Sequence, residues 1–222
     1  MDKAKEHFNE MAEKYEDLIK KIVTNHELFF NQTVSLVPKG NIEVLELGSG
    51  TGYLTEMIIA KNPHASVTCI DMTPEMIGIA MEKDSLKDVN FIEGDFREVW
   101  PDKKFDLIIS TLCFHHLTDN DRYDILVKIH KSLNEKGIFV NGDVFKPENS
   151  YTEDILRERW LKSMIDSGLS EKQASDMIEK RKSAIGFIDT HESYREKLLQ
   201  AGFSRMFCFY SFEIYSVTAG FE

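Results

Sequence analysis

The sequence predicts an α/β fold: a doubly wound, seven-stranded mixed sheet that closes with an antiparallel hairpin, with N-terminal helices and an inserted helical lid. Three observations predict it. An apolar run, Val44-Leu45-Glu46-Leu47, breaks into Gly48-Ser49-Gly50-Thr51-Gly52 and is followed by a helical stretch from Tyr53 to Ala60. Strand, glycine-rich turn and helix in that order bring the backbone of such a sheet against a ligand. β-rich segments then alternate with helical ones, the pattern of βαβ units on a parallel sheet. Near the end, 203–210 and 212–217 read as a strand pair.

The elements follow in order. Phe8, Met11, Tyr15, Leu18, Ile19 and Ile22 recur at helical spacing over 3–22. A second helix is predicted from Glu27 to Val37, stopping at Pro38-Lys39-Gly40. Residues 1–40 thus form a helical cap. Strands are predicted at 42–47, 66–71, 89–92, 105–110 and 137–142, and helices at 53–61, 74–83 and 119–133. Phe105 to Ser110 is nearly all apolar, as a central strand covered on both faces requires. The charged region 151–185 breaks the rhythm and reads as two inserted helices, 151–166 and 170–184, the second capped by Ser170. A helix from Thr190 to Gln200 precedes the closing strands. No internal repeat or linker is visible, so 1–222 reads as one domain.

Composition narrows the function. The net charge of −11 argues against non-specific binding to nucleic acid. The three cysteines are far apart and form no C-x-x-C pair, so neither a metal site nor a disulfide frame is expected. The start lacks an apolar leader and no apolar stretch approaches a membrane span, so a soluble, cytoplasmic chain with no membrane partner is expected.

The glycine spacing is G-x-G-x-G rather than the dinucleotide G-x-G-x-x-G. Asp71 ends the β-rich segment 66–70, nineteen positions after Gly52. That is the position of a ribose-binding acid, whereas Asp71 and Thr73 ahead of Pro74 also read as a helix N-cap. His115 and His116 follow the fourth strand, at the sheet edge where a substrate belongs. Either could act as a general base or fix its loop; adjacent side chains diverge, so at most one is expected to face the pocket. Asp143 ends the fifth strand and either orients a substrate or caps the insert. Met57, Met72, Met76 and Met81 read as core or pocket wall.

Glu46 to Gly52 resembles motif I of the class I S-adenosylmethionine (SAM) methyltransferases. Asp71-Met72 matches the acidic end of that family's second strand. Gly94-Asp95-Phe96 matches the loop that meets adenine, with Asp95 near the exocyclic amine. Phe105 to Leu117 resembles motif IV and the turn after it, Gly137 to Val140 the fifth strand, and Leu198 to Phe203 the last helix entering the hairpin. The resemblance implies a Rossmann-like fold. It also implies a SAM site formed by Glu46, Gly48, Ser49, Gly50, Gly52, Asp71, Met72, Met76, Gly94, Asp95, Phe96 and Thr111. It implies methyl transfer to a small-molecule acceptor, with S-adenosylhomocysteine (SAH) as product.

Phe8 to Glu16 resembles the entry helix of small metabolite-directed members, in which the aromatic residue at the Tyr15 position lies near the methionine half of SAM; ordinary packing is the alternative. Tyr15 and Phe114 are the aromatic faces available to a sulfonium. Tyr15, His115 and His116 are therefore the catalytic candidates. The segment from Trp160 through Arg181 to Phe203 also resembles carboxy-SAM synthases, with Arg181 aligned to a carboxylate-gripping arginine; a solvated helix face is the alternative reading. A non-catalytic SAM-binding sensor is a third. The aromatic end from Phe203 to Phe221 leaves a homodimer open.

Overall fold

The computed structural model describes residues 12–221; Phe8 to Met11 of the first predicted helix lie outside the described residues. A short 3-10 turn, Ala12–Lys14, leads into Tyr15–Ile22 (α1), and His26–Thr33 follows as α2. The second helix is shorter than expected: Val34–Leu36 tightens into a 3-10 turn ahead of Pro38.

The sheet is built from Glu43–Leu47 (β1), Ser66–Asp71 (β2), Asn90–Glu93 (β3), Phe105–Thr111 (β4), Leu133–Val144 (β5), Arg205–Phe212 (β6) and Tyr215–Phe221 (β7). Its order is β3-β2-β1-β4-β5-β7-β6. The first five strands pair in parallel, and β7 runs antiparallel between β5 and β6. Tyr53–Lys61 (α3), Pro74–Met81 (α4) and Asp119–Ser132 (α5) are the helices that follow β1, β2 and β4. Ser150–Asp166 (α6) and Glu171–Ala184 (α7) form the insert, and His191–Gln200 (α8) returns the chain to the hairpin.

Because the sheet is covered on both faces, its central strands are largely apolar: Val44, Leu45, Leu107, Ile108 and Ile109 are fully buried. One core layer joins Val44, Ile109 and Val140 to Phe29, Phe30, Leu54, Ile58 and the insert's Trp160 and Met164. The opposite layer joins Leu45, Ile108 and Phe139 to Ile125, Ile129, Tyr194 and Leu198. The cap, the insert and the hairpin converge on one backbone group: Trp160 Nε1 and Tyr215 Oη both donate to the Ile22 carbonyl, at 2.8 and 3.1 Å.

Two sequence readings change. The hairpin turn falls at Glu213-Ile214, not at Ser211. Phe212 pairs with Tyr215, and Glu213 takes φ 53° without the Asn-Gly or Asp-Gly that would announce such a turn. Met81, read as core or wall, is 64% exposed because α4 stops there, while Met76 one turn earlier is buried. Among the described residues no helix is long and apolar enough to cross a membrane.

Candidate active site

The strand order reverses between β1 and β4, and the crevice beyond their C-terminal ends is where such a sheet takes a ligand. A cleft of about 450 Å³ opens there, lined by Tyr15, Gly48, Ser49, Gly50, Thr51 and Thr111 among others. Gly48, Gly50 and Gly52 all have left-handed φ, at 73°, 54° and 77°. They are glycines for different reasons. A Cβ on Gly48 would meet Cys113 Sγ at 2.6 Å, and one on Gly52 would meet Leu86 Cδ1 at 2.5 Å, so neighbouring side chains would have to shift to admit either. A Cβ on Gly50 would meet only Met76 Sδ at 3.4 Å and Tyr15 Cε1 at 4.0 Å. The protein leaves that approach open, towards the cleft.

Asp71 ties this loop down. Its Oδ2 accepts the Gly50 N–H at 2.7 Å and its Oδ1 accepts the Thr73 N–H at 2.8 Å. The carboxylate therefore holds the start of α4 and the glycine loop together. Burial raises its pKa, against the pull of these N–H groups. The Gly94 N–H donates to the Asp71 carbonyl at 2.8 Å, which brings the 94–96 loop alongside. In that loop Asp95 is held by the Arg97 guanidinium through both carboxylate oxygens, and Arg97 reaches on to Asp121 at 2.9 Å. Phe96 is buried and stacks on Phe114, with ring centroids 6.3 Å apart. Phe114, a candidate for facing a sulfonium, lies in the core between Phe96 and Phe139.

Glu46 is buried beneath the loop, and Thr55 Oγ1 of α3 donates to its Oε2 at 2.7 Å. Burial pushes its pKa up to about 8, against the bonds from Thr55 and Cys69. Met72, half-buried, directly follows Asp71 at the end of β2.

A second cavity, of about 1140 Å³, abuts the first, and Tyr15, Ile19 and Leu112 line both. Leu112 has φ 50°, a strained conformation for a leucine, at the wall between the two spaces. His115 and His116 both contribute to the lining of the second cavity, His115 half-buried and His116 exposed. The short 3-10 turn Phe114–His116 brings the two rings to 3.9 Å, side by side.

Asp143 holds His115. Its Oδ1 lies 2.6 Å from His115 Nδ1 and its Oδ2 accepts the His115 backbone N–H at 3.1 Å. Burial would raise the Asp143 pKa, but His115 and the Val144 N–H hold it below the usual carboxylate range. Asp143 does not cap the insert; Asn149 does, accepting the Thr152 N–H at 2.8 Å. Pinning Nδ1 leaves Nε2 as the ring nitrogen for chemistry. This pair was absent from the sequence reading. The signal was there: β4 and β5 are neighbours, so residues at their carboxyl ends meet.

Arg122 was also missed. Buried on α5, it donates to the Phe114 and Leu117 carbonyls at 3.2 and 3.0 Å, bracketing the histidine turn, and binds Asp189. Arg181 is corrected. It is buried, not solvated, and its Nε and NH2 donate to Glu153 at 2.7 and 2.8 Å. The Nε–NH2 edge of its guanidinium is thus taken by Glu153, and NH2 also donates to the Phe145 carbonyl at 3.0 Å.

Fold, glycine loop and second-strand acid together define a class I SAM-dependent methyltransferase. Residues 44–137 match a family described as a methyltransferase domain. An uncharacterised methyltransferase of Anoxybacillus flavithermus is 33% identical over 155 residues, covering 69% of this chain and 68% of that protein. The malonyl-[acyl-carrier protein] O-methyltransferase of Priestia megaterium is 33% identical over 144 residues, 60% of this chain and 48% of the relative. The chain thus spans about half the length of that relative. The solved structure of DhpI with SAH superposes at a TM-score of 0.70 over 97% of this chain and 93% of DhpI, at 16% identity, a likeness of fold. The chain belongs to the SAM-dependent methyltransferase family.

The residues present fit that cofactor. The Gly50 approach is open to a ligand, the glycine loop offers its backbone, and Asp71 stands at the end of β2 beside it. SAM bound in such a cleft supplies an electrophilic methyl group on a sulfonium.

Proposed function

We propose that this chain transfers a methyl group from SAM to a small-molecule acceptor held in the second cavity, with His115 as general base. One observation carries the reading: the glycine-loop cleft and the cavity that His115 lines share Tyr15, Ile19 and Leu112 as their common wall. An acceptor in one space and a methyl donor in the other adjoin in this reading where these residues line both, and close approach is most of what an in-line displacement needs.

In this reading Gly48, Ser49, Gly50 and Asp71 hold the cofactor, with Thr111, Met72, Met76 and the 94–96 loop around it. Tyr15 stands at the junction and offers its ring to the sulfonium. Burial, then the nearby Cys113, Asp71 and Asp143, raise its pKa, so it stays a neutral phenol. Asp143 keeps His115 in the tautomer that presents Nε2. The relatives named as O-methyltransferases support oxygen as the accepting atom. The carboxy-SAM reading loses its main support, since Arg181 is bound to Glu153.

The test is calorimetric titration of the purified chain with SAM and with SAH, followed by SAH release with a fractionated metabolite extract. Binding of both with acceptor-dependent release supports the reading. Binding without turnover on any fraction favours the sensor, and binding of neither removes the assignment.

A further inference from the structure

We infer that the acceptor is an apolar molecule bearing an acidic hydroxyl, of the phenol or enol class, and that this oxygen is the atom methylated. The inference rests on the methyl-transfer reading above and adds the chemistry of the substrate.

The acceptor cavity is walled by Leu18 and Ile22 of α1, Trp160 of α6, Met177 of α7, and Ile214 and Tyr215 at the hairpin. These surfaces suit an apolar body. The ionisable groups in its lining are Tyr15, Tyr215, His115, His116, Lys180 and Arg181; among the described residues no carboxylate lines it. Burial raises the Tyr215 pKa, so that group too stays neutral.

This set sorts acceptors by charge. An ammonium would enter a cavity that no carboxylate lines among the described residues, with Lys180 at its edge and only the Tyr15, Trp160 and Tyr215 rings to face it. A carboxylate, such as a malonyl group carries, would find the Nε–NH2 edge of Arg181 already taken by Glu153, with the exposed Lys180 as the other cation in the lining. A carboxylate is also ionised already at neutral pH and gives a general base nothing to remove. A hydroxyl of the phenol class arrives protonated and needs that base. The dyad built by Asp143 and His115 supplies it.

The step balances. As the hydroxyl proton passes to His115 Nε2, the oxygen lone pair forms the new O–C bond. The C–S bond breaks with its electron pair left on sulfur, giving neutral SAH and a methyl ether.

The test uses four compounds with one apolar body: 2-naphthol, 2-naphthoic acid, 2-(aminomethyl)naphthalene and naphthalene-2-thiol. SAH release is read from the full chain at saturating SAM, after subtraction of the enzyme-free rate. We expect kcat/KM for the naphthol to exceed that of each other compound about tenfold or more. H115Q should lower the naphthol rate about 100-fold, with SAM affinity, measured by calorimetry, unchanged as the control for folding. A faster acid, amine or thiol, or SAM binding with no naphthol turnover, overturns the inference and leaves the cofactor reading standing. Absence of SAM binding is instead the failure of the methyl-transfer reading.

Discussion

Asp143 grips His115 at two points, the ring Nδ1 at 2.6 Å and the backbone N–H at 3.1 Å, from the end of the neighbouring strand. One carboxylate thereby sets the tautomer, the ring orientation and the position of the turn. Asp143→Asn keeps the shape but removes the anion that stabilises an imidazolium. The expected result is a kcat lowered about 100-fold or more, with SAM affinity retained and the acid limb of the kcat/KM profile altered. Stability has a definite sign here. The folded Asp143 pKa is depressed, so its contribution is present above the ordinary carboxylate range and is lost as pH falls through the lowered value. The variant should lose that acid-side dependence in thermal melts.

The two outer glycines and the middle one should separate experimentally. Gly48→Ala drives a methyl to 2.6 Å from Cys113 Sγ and is expected to destabilise the fold. Gly50→Ala meets no close neighbour and carries only the left-handed backbone cost, about 1–2 kcal/mol. It should stay folded by circular dichroism while SAM binding weakens about tenfold or more, equivalent to about 1.4 kcal/mol. Equal SAM affinity in Gly50→Ala and the parent would remove the loop from the cofactor site.

Much of the sheet was legible, for physical reasons. Ser66–Asp71 and Tyr53–Lys61 fall where periodicity placed them because glycines, Asn62 and Pro74 punctuate the chain there. The hairpin turn was misplaced because Glu213 adopts φ 53° without any residue-type signal. The glycine loop and Asp71 were legible as a local motif. The Asp143–His115 and Arg122–Asp189 pairs were not, since they join residues 28 and 67 positions apart that only the folded chain brings together. Arg181 read either as a carboxylate grip or, beside Lys180 and Lys182, as part of a solvated face; Lys180 and Lys182 are exposed, while Arg181 turns inward onto Glu153.

Glu46 illustrates how burial alone can bias stability. Its folded pKa, about 8, is above that of an unfolded glutamate, so folding favours the protonated form. Stability tied to this group is full at acid pH and declines as pH rises from the ordinary carboxylate range through about 8. Glu46→Gln keeps a hydrogen-bonding amide at Thr55 and cannot ionise. It should melt higher than the parent at pH 8.5 and nearly alike at pH 5, each kcal/mol recovered raising Tm by about 2–4 °C. A constant difference across that range would mean that the carboxyl does not titrate there.

Lys83 provides a link between the cap and the cofactor cleft. Its Nζ lies 2.7 Å from Glu16 Oε1 on α1 and 2.8 Å from Glu56 Oε2 on α3, and Thr51 Oγ1 of the glycine loop donates to the same Glu16 oxygen at 2.8 Å. Desolvation lowers the Lys83 pKa, but the two carboxylates outweigh it and raise it. The groups are partly exposed, so solvent screening limits the stability they add to about 1 kcal/mol or less. Their position gives them more effect on exchange than on folding, because α1 carries Tyr15 and Ile19 over the cleft. Lys83→Met should therefore leave Tm nearly unchanged and speed SAM release in stopped-flow displacement. Raising the salt concentration should speed release from the parent and have less effect on the variant, since it screens the same contacts. The same salt dependence in both would show that the ion pairs do not hold the cap over the cofactor.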